Sequence, residues 1–135
     1  MIEQDLQRIL RSAKTIASVG LSANPAKVSH GVAEYLLSQG YRVIPVNPGA
    51  DVILGQKSYA DLAAIPDKVD VVQIFRPSED VPPIVDQAIQ IGAKVVWMQQ
   101  GIAHEEAAAK ARAAGLEVVM DHCMRSEHRR LVAGT

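Results

Sequence analysis

The sequence predicts an α/β protein: a doubly wound, five-stranded parallel sheet of the Rossmann-like kind, with helices on both faces. Three observations carry that expectation. Apolar, β-branched runs recur at "TIASV", "YRVIPV", "VDVVQIF", "AKVVWM" and "LEVVM", the composition of strands buried on both faces. Helix-length intervals separate them, which implies parallel strands joined by right-handed crossovers. Three of the intervening segments close on a glycine, at Gly40, Gly92 and Gly115, immediately before a strand. Glycine takes the left-handed backbone that ends a helix, so each is expected to be a helix stop.

The elements follow in order. Ile2, Leu6, Ile9, Leu10 and Ala13 fall at helical spacing, which predicts a helix within residues 1–14 packed on the sheet. Strand one is expected at 15–19, and the loop "GLSANPAKVS" leads from it into a helix. Strand two, at 42–46, runs into "NPG", and the short piece "SYADLAAI" stops at Pro66. Strand three is placed at 69–75. Ser78, with Glu79 and Asp80 behind it, has the chemistry of an N-cap followed by acids in the first turn. Strand four is placed at 94–98, and the alanine-rich "AHEEAAAKARAAG" is good helix. Strand five is placed at 116–120, and the basic "RSEHRRLV" is expected as a helix on the sheet edge. The expected strand order is 3-2-1-4-5.

Composition bounds the function. The 135 residues, 48% hydrophobic, suit one well-buried core, so residues 1–135 are expected as a single domain. Fourteen Lys and Arg against fifteen Asp and Glu provide no basic field to gather nucleic acid or an anionic membrane, so any anion must be bound locally. One cysteine, Cys123, permits no internal disulfide and fits a reducing compartment. The N-terminus "MIEQDLQRIL" carries acids in place of a basic leader, and no apolar run approaches membrane-spanning length. A cytoplasmic protein is expected, and no motif names a protein partner.

In an open sheet of this order the ligand crevice is expected beyond the carboxyl ends of the strands, where the first and fourth strands diverge. The first loop offers Gly20 for a tight exit, then the side chains of Ser22, Asn24, Lys27 and Ser29, then a helix N-terminus. Free amides and the helix dipole there suit a phosphate. Asn24-Pro25 also suits a plain turn and Ser29 a plain N-cap. Where a protein that holds the ribose of NAD places an acid after strand two, this chain has Asn47 and Pro48. A neutral amide tolerates a phosphorylated ribose such as that of coenzyme A (CoA), whereas a carboxylate would repel it. The same two residues also suit the start of a turn.

The runs "VGLSANPAKVSHGVAEYLLSQGYRVIPVNPG" and "GAKVVWMQQGIAHEEAAAKARAAGLEVVMDHCM" resemble the small, single-domain CoA-binding proteins of the YccU-like family. That family is similar to the N-terminal CoA-binding domain of the succinyl-CoA synthetase alpha subunit. The likeness runs from about Thr15 to about Leu131, with "VNP" and the late "C-M-x-x-E-H" as its specific parts. It implies that CoA or acyl-CoA lies across the carboxyl edge of the sheet. The implied contacts come from Gly20, Leu21, Ser22, Asn24 and Lys27, from Asn47 and Pro48, from Phe75, Arg76 and Pro77, and from Met98, Gln99, Gln100 and Gly101. "MQQGI" stands where the synthetase subunit has Thr-Glu-Gly-Ile-Pro, and Ala50 stands where it has a lysine, a place that Lys27 or Lys57 would have to fill. The synthetase's phosphohistidine belongs to a second domain that has no counterpart here, so the resemblance implies a binding or regulatory module and no ligase activity.

The alternative is an enzyme acting on a CoA thioester or disulfide through Cys123, which has His122 and Asp121 beside it. Adjacent residues on an extended strand point to opposite faces, so "DHC" is a poor catalytic pair, and an inert core thiol is the expectation. An NAD-responsive domain is disfavoured by the missing acid after strand two. His30, His104 and His128 are expected on the surface, and no grouping at metal-ligand spacing points to zinc.

Overall fold

The computed structural model describes residues 3–134. Ile2, expected on the apolar face of the first helix, lies outside them. The remaining apolar positions of that helix, α1 (Glu3–Ser12), bury Leu6, Ile9 and Leu10. Strand β1 (Thr15–Val19) and helix α2 (Val28–Ser38) follow, then β2 (Arg42–Val46). Strands β3 (Val52–Ile53) and β4 (Gln56–Lys57) form a small antiparallel hairpin. After it come a 3-10 turn at Leu62–Ala64 and β5 (Val71–Ile74). Helix α3 (Val81–Gln90), β6 (Val95–Met98), α4 (Glu105–Ala113), β7 (Glu117–Val119) and α5 (Met124–His128) complete the order. A π-helical turn at Arg129–Ala133 extends α5.

Five parallel strands make the sheet, in the order β2-β1-β5-β6-β7. The doubly wound expectation holds, with one change in which segment takes which place. A single parallel bridge from Tyr59 to Val46 sets "SYADLAAI" outside β2, in the outermost position of the 3-2-1-4-5 pattern. The segment expected as strand three, β5, lies directly beside β1, with Val19 paired to Ile74. The chain leaves β1 toward β2 on one side and reaches β5 on the other. The sheet's switch point is thus between β1 and β5, the first and third expected strands and not the first and fourth, and β6 is one strand away from it.

The strands separate two apolar layers. Helices α1, α2 and α5 cover one face around Trp97, Leu36, Ile16 and Met124. Helices α3 and α4 and the 3-10 turn cover the other, around Ile74, Val85, Leu62 and Ala108. Gly40, Gly92 and Gly115 all have positive φ, as helix stops require. At the amino edge of the sheet the Asp70 carboxylate accepts from the Lys14 and Thr15 amides at 2.9 and 3.0 Å. Partial burial works against its charge, but those donors, with Lys94 and Lys68 nearby, hold its pKa below the ordinary value.

Several local expectations are corrected. Ser78 caps no α-helix: Ser78–Asp80 is a 3-10 turn and α3 starts at Val81, where Pro82 and Pro83 stiffen the first turn. The Ser78 hydroxyl instead accepts from the Ala103 amide at 3.1 Å. The N-cap of α2 is Lys27, not Ser29. The C-terminal helix packs on a face of the sheet, against α1 and α2, rather than on its edge. His30 and His128 are buried, not on the surface. An imidazole buries well when its nitrogens find partners; His30 meets Glu34 at 3.0 Å and His128 meets the Tyr35 hydroxyl at 2.8 Å. His104 caps α4, accepting from the Ala107 amide at 3.1 Å.

Candidate functional site

A cleft of about 560 Å³ opens beyond the carboxyl ends of β1, β2 and β5. Gly20, Ser22, Asn47, Pro48 and Arg76 line one end, and Ala60, Asp61, Leu62, Pro83, Ile84 and Gln87 line the other. Gly20 is required by geometry. Its φ is +90°, and a Cβ there would stand 3.2 Å from both the Phe75 carbonyl oxygen and Arg76 Cδ. The first loop therefore passes closely over the end of β5.

The rest of that loop is organised by its own polar groups. The Ser22 amide donates to Ser29 Oγ, the Asn24 amide to Ser22 Oγ and the Ala26 amide to Asn24 Oδ1, each at 3.0 Å. These bonds shape a turn that delivers the N-terminus of α2, which has no side-chain cap. The His30 amide donates to the Lys27 carbonyl at 3.1 Å, and the first two amides of the helix, at Val28 and Ser29, have no acceptor within it. Asn47 ties the two loops together: Nδ2 donates to the Leu21 carbonyl at 3.0 Å and Oδ1 accepts from the Gly49 amide at 2.8 Å. It lines the cleft with both polar side-chain atoms already engaged.

The residues singled out in the sequence divide accordingly. Gly20, Ser22, Asn47, Pro48 and Arg76 come together at the cleft. Leu21 is fully buried and offers only its backbone. Asn24 and Lys27 are exposed on the loop and outside the cleft lining, as is Pro77. Phe75 is half-buried against the α1-α2-α5 layer. Met98 is fully buried in the opposite layer. Gln99 is 3% exposed, and its Oε1 accepts from the Met124 amide at 3.0 Å and from Gln73 Nε2 at 3.4 Å, with Ser18 bonded to Gln73 beyond. Gln100 and Gly101 are exposed, with the Gly101 amide held by Asp121 at 2.6 Å. Residues 98–101 thus lie off the cleft, because β6 stands one strand beyond the switch point. Asp61, Asp80, Ile84 and Gln87 were not singled out. The only local hint was the short "SYADLAAI" segment, whose place beside β2 depends on one bridge.

Electrostatically the cleft is mixed. Arg76 pairs with Asp80 at 2.9 Å across its rim, both side chains substantially exposed. Cys123 sits elsewhere, at the N-cap of α5 and half-buried. It packs against the α1-α2-α5 layer without being enclosed by it, so the expected core placement holds only in part. Burial alone would raise its pKa. Hydrogen bonds from the backbone and hydroxyl of Ser126, the Gln99 side chain and the Arg125 backbone outweigh burial and hold the thiol below its ordinary range. His122 Nδ1 is 3.3 Å from Glu127, and its carbonyl accepts from Trp97 Nε1 at 2.8 Å. Among the described residues no group of three His, Cys, Asp or Glu side chains is arranged to hold a metal.

Residues 14–129 match the family model described as the CoA binding domain. The chain belongs to that family. This CoA binding domain is 39% identical over 124 residues to the uncharacterized protein YneT of Bacillus subtilis, with 92% of each chain covered. It is 33% identical over 116 residues to the ADP-forming acetate-CoA ligase II of Archaeoglobus fulgidus, covering 83% of this chain and 17% of the ligase. Among solved structures it superposes on a hypothetical protein from Pyrococcus horikoshii OT3 with a TM-score of 0.95 at 43% identity, covering 98% of this chain and 93% of that one. The CoA binding domain thus occurs both in small proteins of this length and as a small part of a much longer ligase.

Proposed function

We propose that this chain binds coenzyme A or an acyl-CoA in the cleft beyond β1, β2 and β5, as a binding or regulatory module with no chemistry of its own. The observation that carries this reading is the position of the cleft: a chain of the CoA binding domain family opens its cleft at the switch point, where open α/β sheets hold ligands. Its volume, about 560 Å³, falls within the roughly 300–1,000 Å³ of small-molecule sites. The nucleotide end of CoA occupies the cleft, with phosphate toward Gly20, Ser22 and the uncapped N-terminus of α2, and with Arg76 supplying positive charge.

One observation favours a second reading, thiol chemistry on a CoA thioester or disulfide: Cys123 is half-buried with a lowered pKa. It does not line the cleft, so it ranks second. Calorimetry with CoA, dephospho-CoA and NAD tests the first reading. CoA is expected to bind tightest and NAD weakest; equal affinity for CoA and dephospho-CoA removes the role of the 3′-phosphate, and preference for NAD overturns the assignment. Turnover of acetyl-CoA that vanishes in Cys123→Ser would establish the second reading instead.

A further inference from the structure

The end of the cleft away from α2 is built unlike the end at the first loop. Its walls are apolar, from Val46, Ala60, Pro83 and Ile84, and two polar side chains stand between them, Asp61 and Gln87. Each has one atom committed and one left over. Asp61 Oδ1 accepts from the Ala64 amide at 3.0 Å, capping the 3-10 turn, and Oδ2 has no partner among the described residues. Gln87 Oε1 accepts from the Leu62 amide at 3.1 Å, which fixes the orientation of its amide and leaves Nε2 as a donor. Because the Gln87 side chain, reaching from α3, is bonded to the residue directly after Asp61, a free acceptor and a free donor from two elements both stand at the 3-10 turn.

We propose that this pair selects a 6-aminopurine, with Asp61 Oδ2 accepting from the exocyclic amine and Gln87 Nε2 donating to the adjoining ring nitrogen N1. The apolar walls cover the faces of the ring. The proposal rests on the CoA reading and names the residues that read its base. A 6-oxopurine is disfavoured on both counts: its oxygen meets a carboxylate, and its protonated N1 meets an N–H donor. Asp61→Asn keeps the cap, because Asn Oδ1 can still accept from Ala64, but replaces the free acceptor with a donor. The preference should then move toward the 6-oxo base.

Calorimetry on the full chain with CoA and with its deaminated analogue, hypoxanthine in place of adenine, is the test. The wild type should bind CoA about five- to tenfold more tightly, below the full value of a charge-assisted bond because Asp61 is exposed. Asp61→Asn should abolish or reverse that ratio while melting at the wild-type temperature. Equal binding of the two ligands by the wild type overturns base selection and leaves the CoA reading standing. A ratio unchanged in Asp61→Asn assigns the selection to other groups and overturns the proposal. Failure of the wild type to bind either ligand overturns the CoA reading and the base assignment with it.

Discussion

Arg76 is a cation in the lining of the cleft, and its partner Asp80 holds it at 2.9 Å with the arginine side chain 53% exposed. Arg76→Ala should weaken CoA by roughly three- to tenfold, a charge-assisted contact discounted for exposure. Asp80→Asn should act oppositely, tightening CoA by about two- to fivefold, because it frees the guanidinium and removes a like charge from the rim. Lys27, exposed and outside the cleft lining, should change affinity less than Arg76 when made alanine. Titrations of the three variants at two salt concentrations decide the ranking, and equal effects of Arg76 and Lys27 would place the phosphate nearer α2. At Cys123 the hydrogen bonds that lower the thiol pKa favour thiolate. It should therefore form a mixed disulfide with a small disulfide reagent on the folded protein at neutral pH, seen as a single mass adduct that Cys123→Ser lacks. An adduct that forms only after denaturant is added would return Cys123 to the inert core class.

The turn after β1 and the seat of α5 make the next scale. Gly20 holds φ at +90° with the end of β5 only 3.2 Å from where a Cβ would stand. Gly20→Ala should cost about 1–3 kcal/mol in stability, through backbone strain and the shift of a rigid neighbour. Its loss of CoA affinity should exceed that of an equally destabilising change in α4; urea unfolding with calorimetry on both variants checks this. α5 is seated by His128, which is 4% exposed, meets the Tyr35 hydroxyl at 2.8 Å and lies edge-on to the Tyr41 ring. Burial pushes its pKa below 6.5, so the unfolded chain takes up the proton first. Its contribution to stability is complete above that value and is lost as pH falls through the lower, folded pKa. Between about pH 7.5 and about pH 5.5, wild type should lose more unfolding free energy than His128→Gln, measured in urea at both pH values. An identical loss in the two proteins would assign the pH dependence to other groups.

At the scale of the whole molecule, binding and folding are linked. A ligand that binds only the folded chain stabilises it by about 2.7 kcal/mol at one hundred times its Kd. For a domain of 135 residues that should raise the melting temperature by on the order of ten degrees with CoA, and by clearly less with NAD at the same concentration. Thermal scans in the two ligands check it, and equal shifts would count against selection for CoA.

Strand positions, helix stops and the place of the first loop were legible because they depend on short-range chemistry: a β-branched run buried on both faces, or a glycine where φ must be positive. The five strands and Gly20 were accessible on those terms. So was the absence of a global basic field, which is a matter of counting. Tertiary structure decided which loops share a cleft. One bridge from Tyr59 to Val46 puts Asp61 and Leu62 beside β2, and the pairing of β5 with β1 sets the switch point between those two strands. Residues 98–101 consequently lie off the cleft, and Asp61 and Gln87, 26 positions apart, come to its far end. A tertiary contact also decided that Asn47 Nδ2 is spent on the Leu21 carbonyl, tying two loops together, whereas its Oδ1 makes the local turn bond to Gly49 that the sequence already suggested. Neither outcome has a local signature, since each depends on pairing energies between segments far apart in the chain. Local propensity determines the strands, and the packing of one strand against another determines which of their ends meet a ligand.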